Sequence, residues 1–357
     1  MVHAVVTGGA GFVGARLARE LLAAGTLEVA GDEARPLSRL TLIDRVAVPA
    51  DLAADERVRT VLGDLVELFG QVGADGGRAD GAGADGGGAD GGGADGGGAL
   101  DGADVIFHLA AAVSAECEAD FDLGMHANLR ATQALLAACR ALGTRPVVVY
   151  ASSLAVFGRS AGHPLPAAID DQTMPNPQTS YGTQKLIGEH LLADYTRKGF
   201  LRGRAVRLMT VSVRPGRPNA AASAFFSGII REPLNGQRAA CPVDPATEVA
   251  LASPTKAVEA LLRAAISSER SWGDRTALTM PALTMTVWEM AAALERVAGP
   301  EVAGLIDWVP DPAIAAIVTG WPGRVRADRA ARLGLTPDPD FDTVIRMYLA
   351  ERQVATQ

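Results

Sequence analysis

The stretch AVVTGGAGFVGARLARELLAAG, residues 4–25, decides the fold of this chain. Its first residues form a short apolar run, which predicts a buried strand that ends at a glycine. From residue 12 the apolar residues recur at helical spacing, and Gly25 then provides a stop signal. Between the two elements, Gly8, Gly11 and Gly14 recur at intervals of three. The order strand, glycine turn, helix predicts the first unit of a doubly wound α/β fold.

The glycine turn also predicts a ligand. Free backbone dihedrals allow a tight turn, a missing side chain lets a pyrophosphate approach the backbone, and close helix–strand packing needs a small residue. The first turn of the helix offers unpaired N–H groups and partial positive charge to phosphates. The sequence therefore predicts a dinucleotide site with contacts from five residues, which are Gly8, Gly11, Phe12, Val13 and Gly14.

Beyond this unit, apolar runs continue to alternate with helical patterns. The predicted strands are RLTLID (39–44), RVRTVLGD (57–64), ADVIFHLAA (103–111) and RPVVVYASS (145–153), and the predicted helices cover about 126–142 and 181–198. Because these strands are apolar on both faces, we expect a parallel sheet covered by helices on both sides. The fold class predicted is α/β, a Rossmann-type doubly wound parallel sheet with a smaller C-terminal substrate-binding cap.

Changes in composition along the chain suggest where the domains divide. Residues 1–212 are predicted to form the nucleotide-binding Rossmann domain. Residues 213–357, richer in Pro and with short helices near 286–298 and 340–352, are predicted to form mostly the cap, with some segments returning to the first domain. Residues 73–99 consist of 14 Gly, seven Ala, five Asp and one Arg, a composition with no apolar side chain larger than Ala. We expect a disordered insertion there.

Composition narrows the class of partner. A net charge of −8 argues against nucleic acid or an anionic membrane as the partner. It says little about a small-molecule substrate, which is the expected partner, because a local Arg outweighs the global field at contact range. No apolar run is long enough for a membrane span, and the N-terminus lacks a secretory pattern, so a cytoplasmic enzyme is expected. Cys117, Cys139 and Cys241 are far apart and are expected to be buried thiols. No metal site is predicted.

Two aspartates at predicted strand ends bear on the cofactor. Asp44 ends the strand TLID, where a carboxylate accepts hydrogen bonds from both adenosine ribose hydroxyls and repels a 2′-phosphate. The Asp44 carboxylate therefore favours NAD over NADP. The alternative rests on Arg45, which follows directly and has the side-chain type that binds phosphate groups. Asp64 closes the next strand, and either contacts the adenine or caps the following helix.

The stretch SYGTQK, residues 180–185, carries the predicted chemistry. Tyr181 and Lys185 lie four positions apart and therefore share a helix face. Only three of the 33 basic residues are Lys, so the pair is uncommon in this composition. Ser153 ends the strand before this helix, on the edge of the sheet that faces the ligand crevice. A phenol titrates near ~10, and a nearby ammonium favours the phenolate. These three side chains are therefore the catalytic candidates.

At this point the chain resembles the extended short-chain dehydrogenases/reductases, in the TGxxGxxG loop, the HLAA strand, Asn128 in HANLRAT, Ser153 and the Tyr-x-x-x-Lys pair. The resemblance implies that Tyr181 is the general acid/base, that Lys185 holds the nicotinamide ribose, and that Ser153 orients the substrate oxygen. It also implies a homodimer through the two helices near 126–142 and 181–198. Further cofactor contacts are implied at Leu65, Leu109, Ala110, Ala111 and Asn128.

The following residues separate members of that family. Dehydratases carry an acidic pair directly after the active-site hydroxyl residue, whereas Leu154 and Ala155 follow Ser153 here. The runs 212–243 and 320–335 are similar to the D-erythronate dehydrogenases, and the resemblance covers 1–72 and 100–357. It implies NAD-dependent oxidation of the C2 hydroxyl of a four-carbon sugar acid. The alternatives are a nucleotide-sugar epimerase with tightly bound NAD, and a non-catalytic dinucleotide sensor.

An acidic substrate needs a cationic clamp and hydroxyl contacts. The candidates are Ser114, Ser153, Arg214, Arg217, Asn219 and Ser223. Ser114 either contacts the substrate or caps the helix that follows it, and Arg231 either contacts the substrate or forms a salt bridge. His108 and His126 are expected to be packed or hydrogen-bonded rather than catalytic, since Tyr181 and Lys185 already fill the acid–base roles.

Overall fold

A computed structural model describes residues 1–70, 98–216 and 222–355. The predicted insertion at 73–99 therefore lies outside the described residues up to position 97. Its last two positions are described, and they correct the predicted boundary. The Gly98 carbonyl accepts a hydrogen bond from Arg59, and Ala99 is fully buried in the core, so folded structure resumes at 98 rather than 100.

The strands of the described residues form one large and two small sheets. They are β1 (Val2–Thr7), β2 (Thr26–Leu27), β3 (Arg35–Asp44), β4 (Val58–Leu62), β5 (Val105–His108), β6 (Val147–Ser153), β7 (Arg202–Leu208), β8 (Thr210–Val211), β9 (Ala239–Cys241), β10 (Glu248–Ala252), β11 (Leu278–Thr279), β12 (Leu283–Thr286) and β13 (Ile306–Trp308). The large sheet has the order β11-β7-β6-β5-β1-β3, and β4 and the short antiparallel β2 both pair with β3. Apart from β2, its strands are parallel, which confirms the predicted doubly wound fold.

The helices flank these strands. They are α1 (Phe12–Ala24), α2 (Ala50–Ala53), α3 (Leu65–Phe69), α4 (Ser114–Ala119), α5 (Phe121–Gly124), α6 (Ala131–Leu142), α7 (Ser180–Arg197), α8 (Phe225–Leu234), α9 (Pro254–Ile266), α10 (Glu269–Trp272), α11 (Val287–Ala298), α12 (Pro300–Ala303), α13 (Pro312–Val318), α14 (Asp328–Arg332) and α15 (Phe341–Ala355). A π-helical turn, Met125–Arg130, leads into α6, and a single 3₁₀ turn, Leu154–Val156, follows β6.

Alternating side chains explain why most residues of the large sheet's central strands are apolar, with a few buried polar residues such as His3 and Thr7 among them. On β1, Val2, Ala4 and Val6 join the core cluster on the α1 and α9 side, whereas Val5 joins the cluster on the α6 and α7 side. Because successive side chains point to opposite faces, a strand covered on both faces is apolar on both, and its buried polar residues are hydrogen-bonded, as His3 is to Thr41 and Thr7 is to His108. The switch in strand order lies between β1 and β5, and their carboxyl ends open a crevice there.

A third core cluster lies in the C-terminal part of the chain. It joins apolar residues of α8, α11 and α15 with the short strands β9, β10 and β13. Helix α9 and strand β11 belong to the same half of the sequence but pack in the large sheet's layers, α9 against α1 and β11 beside β7. Cys117, Cys139 and Cys241 are free and buried, as expected. Among the described residues, no helix combines the length and apolar character needed to cross a lipid bilayer.

Candidate active site

The backbone of the glycine turn packs closely against neighbouring backbone atoms, as the glycine spacing predicts. Gly8 adopts φ +75°, and its amide donates to the Ile43 carbonyl at 2.8 Å. A Cβ atom on Gly8 would lie 2.7 Å from the Ala110 amide nitrogen, and one on Gly14 would lie 2.0 Å from the Gly8 carbonyl oxygen. Larger residues at either position would therefore push β1, α1 and the β5 loop apart.

The start of α1 has no side-chain cap, so its first amides remain available. Gly11 occupies the N-cap position, and Phe12 is the first helical residue. Val13, one residue further, lines the cavity that the catalytic candidates also line. The backbone geometry thus leaves N–H groups for an anion at the carboxyl edge of the sheet.

A cavity of about 400 Å³ runs from this turn across the ends of β3 and β4. It is lined by eight of the residues predicted to contact the cofactor, which are Gly8, Gly11, Asp44, Asp64, Leu65, Leu109, Ala110 and Ala111. The Asp44 carboxylate accepts from the Ala10 amide at 2.9 Å and from the Arg45 amide at 2.7 Å. These bonds hold the carboxylate at the rim of the cavity.

Asp64 caps the helix that follows it. Its side chain accepts from the Val66 amide at 2.8 Å and so caps α3. His126 lies 3.1 Å and Arg45 3.8 Å from the same carboxylate. Asp64 also lines the cavity beside Asp44, so the cap does not exclude a contact with a ligand.

Ser153, Tyr181 and Lys185 line one cavity of about 240 Å³ at the ends of β5 and β6. Helix α7 begins beside this cavity, where Thr179 caps its first turn. Gly182 makes the approach possible, because a Cβ atom there would lie 2.1 Å from the Ala155 carbonyl oxygen. A missing side chain on α7 therefore brings Tyr181 close to the end of β6.

Burial and nearby groups set the ionisation of this trio. Burial raises the pKa of Tyr181 to about 12, while its hydrogen bond with Ser153 and the Arg214 charge lower it. Burial lowers the pKa of Lys185 to about 8, and Glu189 on the same helix opposes that change. The Lys185 ammonium donates to the Ala151 carbonyl at 2.8 Å and lies 5.7 Å from the Tyr181 ring centroid.

Among the predicted substrate residues, Ser114, Arg214 and Ser223 line the same cavity as the trio. Arg214 donates to the Ser223 hydroxyl at 2.9 Å and to the Val211 carbonyl at 3.0 Å. Ser114 is the first residue of α4 and does not cap it, since Glu116 bonds the Val113 amide instead. Arg217 and Asn219 lie outside the described residues.

Of the two roles expected for Arg231, the structure shows the salt bridge. It is buried, pairs with Glu232 at 2.6 Å and donates to the Arg214 carbonyl at 2.8 Å. Arg231 therefore fixes the backbone of Arg214, and among the described residues it does not belong to the lining of the catalytic cavity.

Asn128 is one of three predicted cofactor residues, with Phe12 and Gly14, that line neither cavity in the described ranges. It is buried within the π-helical turn, accepts from the Ala112 amide at 2.8 Å and donates to the Gln184 side chain at 2.8 Å. Within the described parts of the chain it lines neither cavity, but Ala112 lines both. Asn128 thus ties the loop after β5 to helix α7.

The two histidines are hydrogen-bonded. His108 is buried between Thr7 at 2.7 Å and Thr132 at 3.0 Å, and burial lowers its pKa to about 3. His126 contacts Asp64. In the described ranges, no group of three or more His, Cys, Asp or Glu side chains is placed to hold a metal ion.

Several lining residues had no signal in the sequence. Met209 and Thr210 follow β7, Ala112 and Val113 follow β5, and Trp321 comes from the loop after α13. Trp321 lies within a run that carried the family resemblance, but a tryptophan 140 residues beyond Tyr181 gives no local pattern that would place it in this cavity. Their positions depend on how distant segments meet.

The doubly wound sheet and the crevice along its carboxyl edge define the class of a Rossmann-type oxidoreductase. Residues 98–253 match the NAD dependent epimerase/dehydratase family. The chain is 45% identical to a D-erythronate dehydrogenase of Cupriavidus necator over 99% of this chain and all of that protein. It is 36% identical to a D-erythronate dehydrogenase of Haemophilus influenzae over 97% of this chain and 98% of that protein.

A solved structure is similar over the same span. It is described as a nucleoside-diphosphate-sugar epimerase from Agrobacterium tumefaciens, is 39% identical, and superposes with a TM-score of 0.81 over 98% of this chain and 94% of that chain. This chain belongs to the NAD-dependent epimerase/dehydratase family, as a D-erythronate dehydrogenase-like member. The predicted family and the predicted enzyme class, an oxidoreductase acting on CH–OH groups, are confirmed.

Proposed function

We propose that this enzyme oxidises the C2 hydroxyl of D-erythronate to a 2-oxo acid, with NAD as the hydride acceptor. Two relatives that are named D-erythronate dehydrogenase support this substrate, because they are similar to this chain over nearly their full lengths. The observation that carries the chemistry is one cavity lined by Ser153, Tyr181, Lys185 and Arg214. It brings an acid–base group, a cation and a carboxylate-binding guanidinium to one place.

The residues around the two cavities fit NAD. The Asp44 carboxylate accepts from the Arg45 and Val46 amides through Oδ1 and from the Ala10 amide through Oδ2, and the remaining lone pair of Oδ2 suits a hydroxyl of an adenosine ribose. Its charge disfavours a 2′-phosphate. The turn at Gly8 and Gly11 suits the pyrophosphate, and Lys185 suits the nicotinamide ribose. When bound, NAD supplies the acceptor for the hydride that leaves C2.

Tyr181 is proposed as the base that takes the proton from the C2 hydroxyl. Burial alone holds its phenol protonated, so the base form needs stabilising charges. Ser153 donates to the phenolate, and the charges of Lys185 and Arg214 act in the same direction. A Lys185 pKa of about 8 keeps the ammonium charged at neutral pH.

Arg214 is proposed to hold the substrate carboxylate. Its guanidinium is half-buried, and its bonds to Ser223 and Val211 use the Nη2 and Nε atoms. Within the residues that the structure describes, Nη1 has no hydrogen bond, so it is the atom proposed to bind the carboxylate. A carboxylate bound there places the C2 hydroxyl, one carbon further, on the Tyr181 side of the cavity. Ser114 and Ser223 then offer hydroxyl contacts.

The test is a substrate screen followed at the NADH absorbance band. Wild-type enzyme with NAD should produce NADH from D-erythronate, and more slowly from L-threonate and from five- and six-carbon aldonic acids. Production from none of them would refute the proposal.

The second candidate is the nucleotide-sugar epimerase, favoured by the description of the 39% identical solved structure. An epimerase interconverts a nucleotide sugar without net NADH. Incubation with UDP-glucose and chromatography of the products separates the two functions.

Three expectations from the sequence stay predictions. The chain is expected to divide after residue 212, to be cytoplasmic, and to form a homodimer through the helices near 126–142 and 181–198. Ile187, an exposed large apolar residue on α7, supports that interface. Light scattering of Ile187→Glu against wild type checks the dimer.

A further inference from the structure

Next to the catalytic cavity, which is lined by Ser153, Tyr181 and Lys185, lies another cavity, called here the second cavity. It measures about 270 Å³ and is lined by the segment after the 3₁₀ turn, by the N-terminus of α7 and by the end of α13. Ala155 and Trp321 line both cavities. Because Ala155 carries only a methyl group, the indole of Trp321 is the bulky element between them.

The backbone that carries Trp321 is anchored on both sides. Its amide donates to the Val318 carbonyl at 3.1 Å, at the end of α13. A few residues later, Ile169 bonds the chain twice, donating to the Arg324 carbonyl at 3.0 Å and accepting from the Arg326 amide at 2.8 Å. Arg324 also forms an ion pair with Glu248. A smaller side chain at 321 therefore enlarges the cavity without releasing this loop.

Trp321 packs on two apolar cores at once. It lies against the cluster on the α1 and α9 side of the large sheet and against the C-terminal cluster of α8, α11 and α15. This double contact holds the indole in place, so the boundary between the cavities is fixed by packing rather than by a hydrogen bond that solvent competes for.

The second cavity has the chemistry of a polyol subsite. Gln178 and Thr179 place an amide and a hydroxyl on its wall, and Arg159 adds a guanidinium. Within the described residues, Arg159 is exposed and forms no ion pair. Phe157 and Ile317 supply an apolar floor. Hydroxyl groups on a carbon chain suit such a mixture of donors, acceptors and apolar surface.

We propose that Trp321 is the residue that sets the chain length of the substrate, by ending the catalytic cavity just beyond the fourth carbon. This inference rests on the proposed function, in which Arg214 holds the carboxylate and Tyr181 faces C2. The chain beyond C2 then extends toward Trp321. Replacing the indole with a smaller side chain joins the catalytic cavity to the second cavity. The fifth and sixth carbons of a longer substrate then have a site beside Gln178, Thr179 and Arg159.

The test is the series Trp321→Phe, Trp321→Leu and Trp321→Ala. For each variant, kcat/KM is measured by NADH production with D-erythronate and with five- and six-carbon aldonic acids. The ratio of six-carbon to four-carbon kcat/KM should rise along the series, by about 10-fold or more at Ala, the scale that pocket size imposes on specificity. An unchanged ratio in the folded variants overturns the proposal.

A second substitution checks that the gain uses the new cavity. Ala316 lines only the second cavity, at its exposed end. Ala316→Phe should leave D-erythronate oxidation unchanged in the wild type and should cancel the six-carbon gain in Trp321→Ala. If the gain persists in the double variant, the second cavity is not the subsite. If Trp321→Ala does not fold, Trp321→Leu, which keeps apolar packing, decides the outcome in its place.

The two proposals fail in different ways. A wild type inactive on every acid refutes the proposed function, and the chain-length inference falls with it. A wild type active on D-erythronate whose Trp321 variants keep the same preference refutes only the role of Trp321.

Discussion

The two ends of the crevice are built by different means. At the end proposed to bind the cofactor the contacts are largely between backbone atoms, such as those of the Gly8 and Gly9 amides with the Ile43 carbonyl. At the substrate end they come from side chains, such as Arg214 on Ser223 and the indole of Trp321. The first end is formed by strand ends of one sheet, and the second by segments from both halves of the sequence.

This difference shows where the enzyme can change. A backbone site depends on glycines with no room for a Cβ atom, so substitutions there disturb the fold together with binding. A side-chain site keeps its backbone when one residue is replaced, and specificity can vary while the sheet stays intact. The two ends should therefore respond differently to mutation.

Tyr181→Phe tests the chemistry shared by both ends and should have the largest effect. The ring stays but the proton acceptor is lost, so kcat should fall by roughly 10²–10⁴ while NAD still binds. The control is Tyr195→Phe on the same helix, which packs on Phe200 and should keep wild-type activity. Full activity in Tyr181→Phe would remove this residue from the mechanism.

Arg214→Met tests the substrate end. Loss of a charge-assisted bond to the carboxylate should cost about 1.5–3 kcal/mol in transition-state binding, seen in kcat/KM for D-erythronate with KM for NAD nearly unchanged. Arg238→Met, which removes a surface ion pair with Asp307, is the matched control. An unaffected kcat/KM would instead point to Arg217 as the carboxylate ligand.

Asp44→Ala tests the cofactor end. Removing the acceptor for the ribose hydroxyls should raise KM for NAD by about 10-fold, the value of one such bond, and should relax discrimination against NADP. The exposed Asp32→Ala serves as control. Initial rates with both cofactors provide the measurement, and equal wild-type efficiency with NAD and NADP would contradict the assigned role.

The smallest effect is expected far from the crevice. Replacing residues 73–97 with a short linker should leave activity intact and gain only about 1 kcal/mol in the free energy of unfolding, since loop-closure entropy varies slowly with length. A deletion that extends through Leu100 is the control, because it removes the buried Ala99 and Leu100 and should destabilise the fold. Loss of folding in the shorter deletion would show that the segment contributes to the core.

Much of the cofactor end could be predicted from the sequence. The turn at Gly8, Gly11 and Gly14, the strand that ends at Asp44, and the pair Tyr181 and Lys185 are all local patterns. Each pattern follows either from hydrophobic periodicity or from the space that a glycine leaves. These two signals arise from residues only a few positions apart. For the same reason the predicted strands and helices lie where the structure has them. Some boundaries differ by a few residues, such as the start of β3, which is at Arg35 rather than at residue 39.

Only the tertiary structure decided the partners of the buried polar groups. Asn128 carries a family motif, yet its bonds go to Ala112 and Gln184, and Arg231 supports Arg214 rather than a ligand. Trp321 reaches the catalytic cavity from a loop that periodicity does not place. The sequence alone determined the sheet and the trio because their signals are local. The shape of the substrate cavity depends on segments more than a hundred residues apart, and their packing has no local signature.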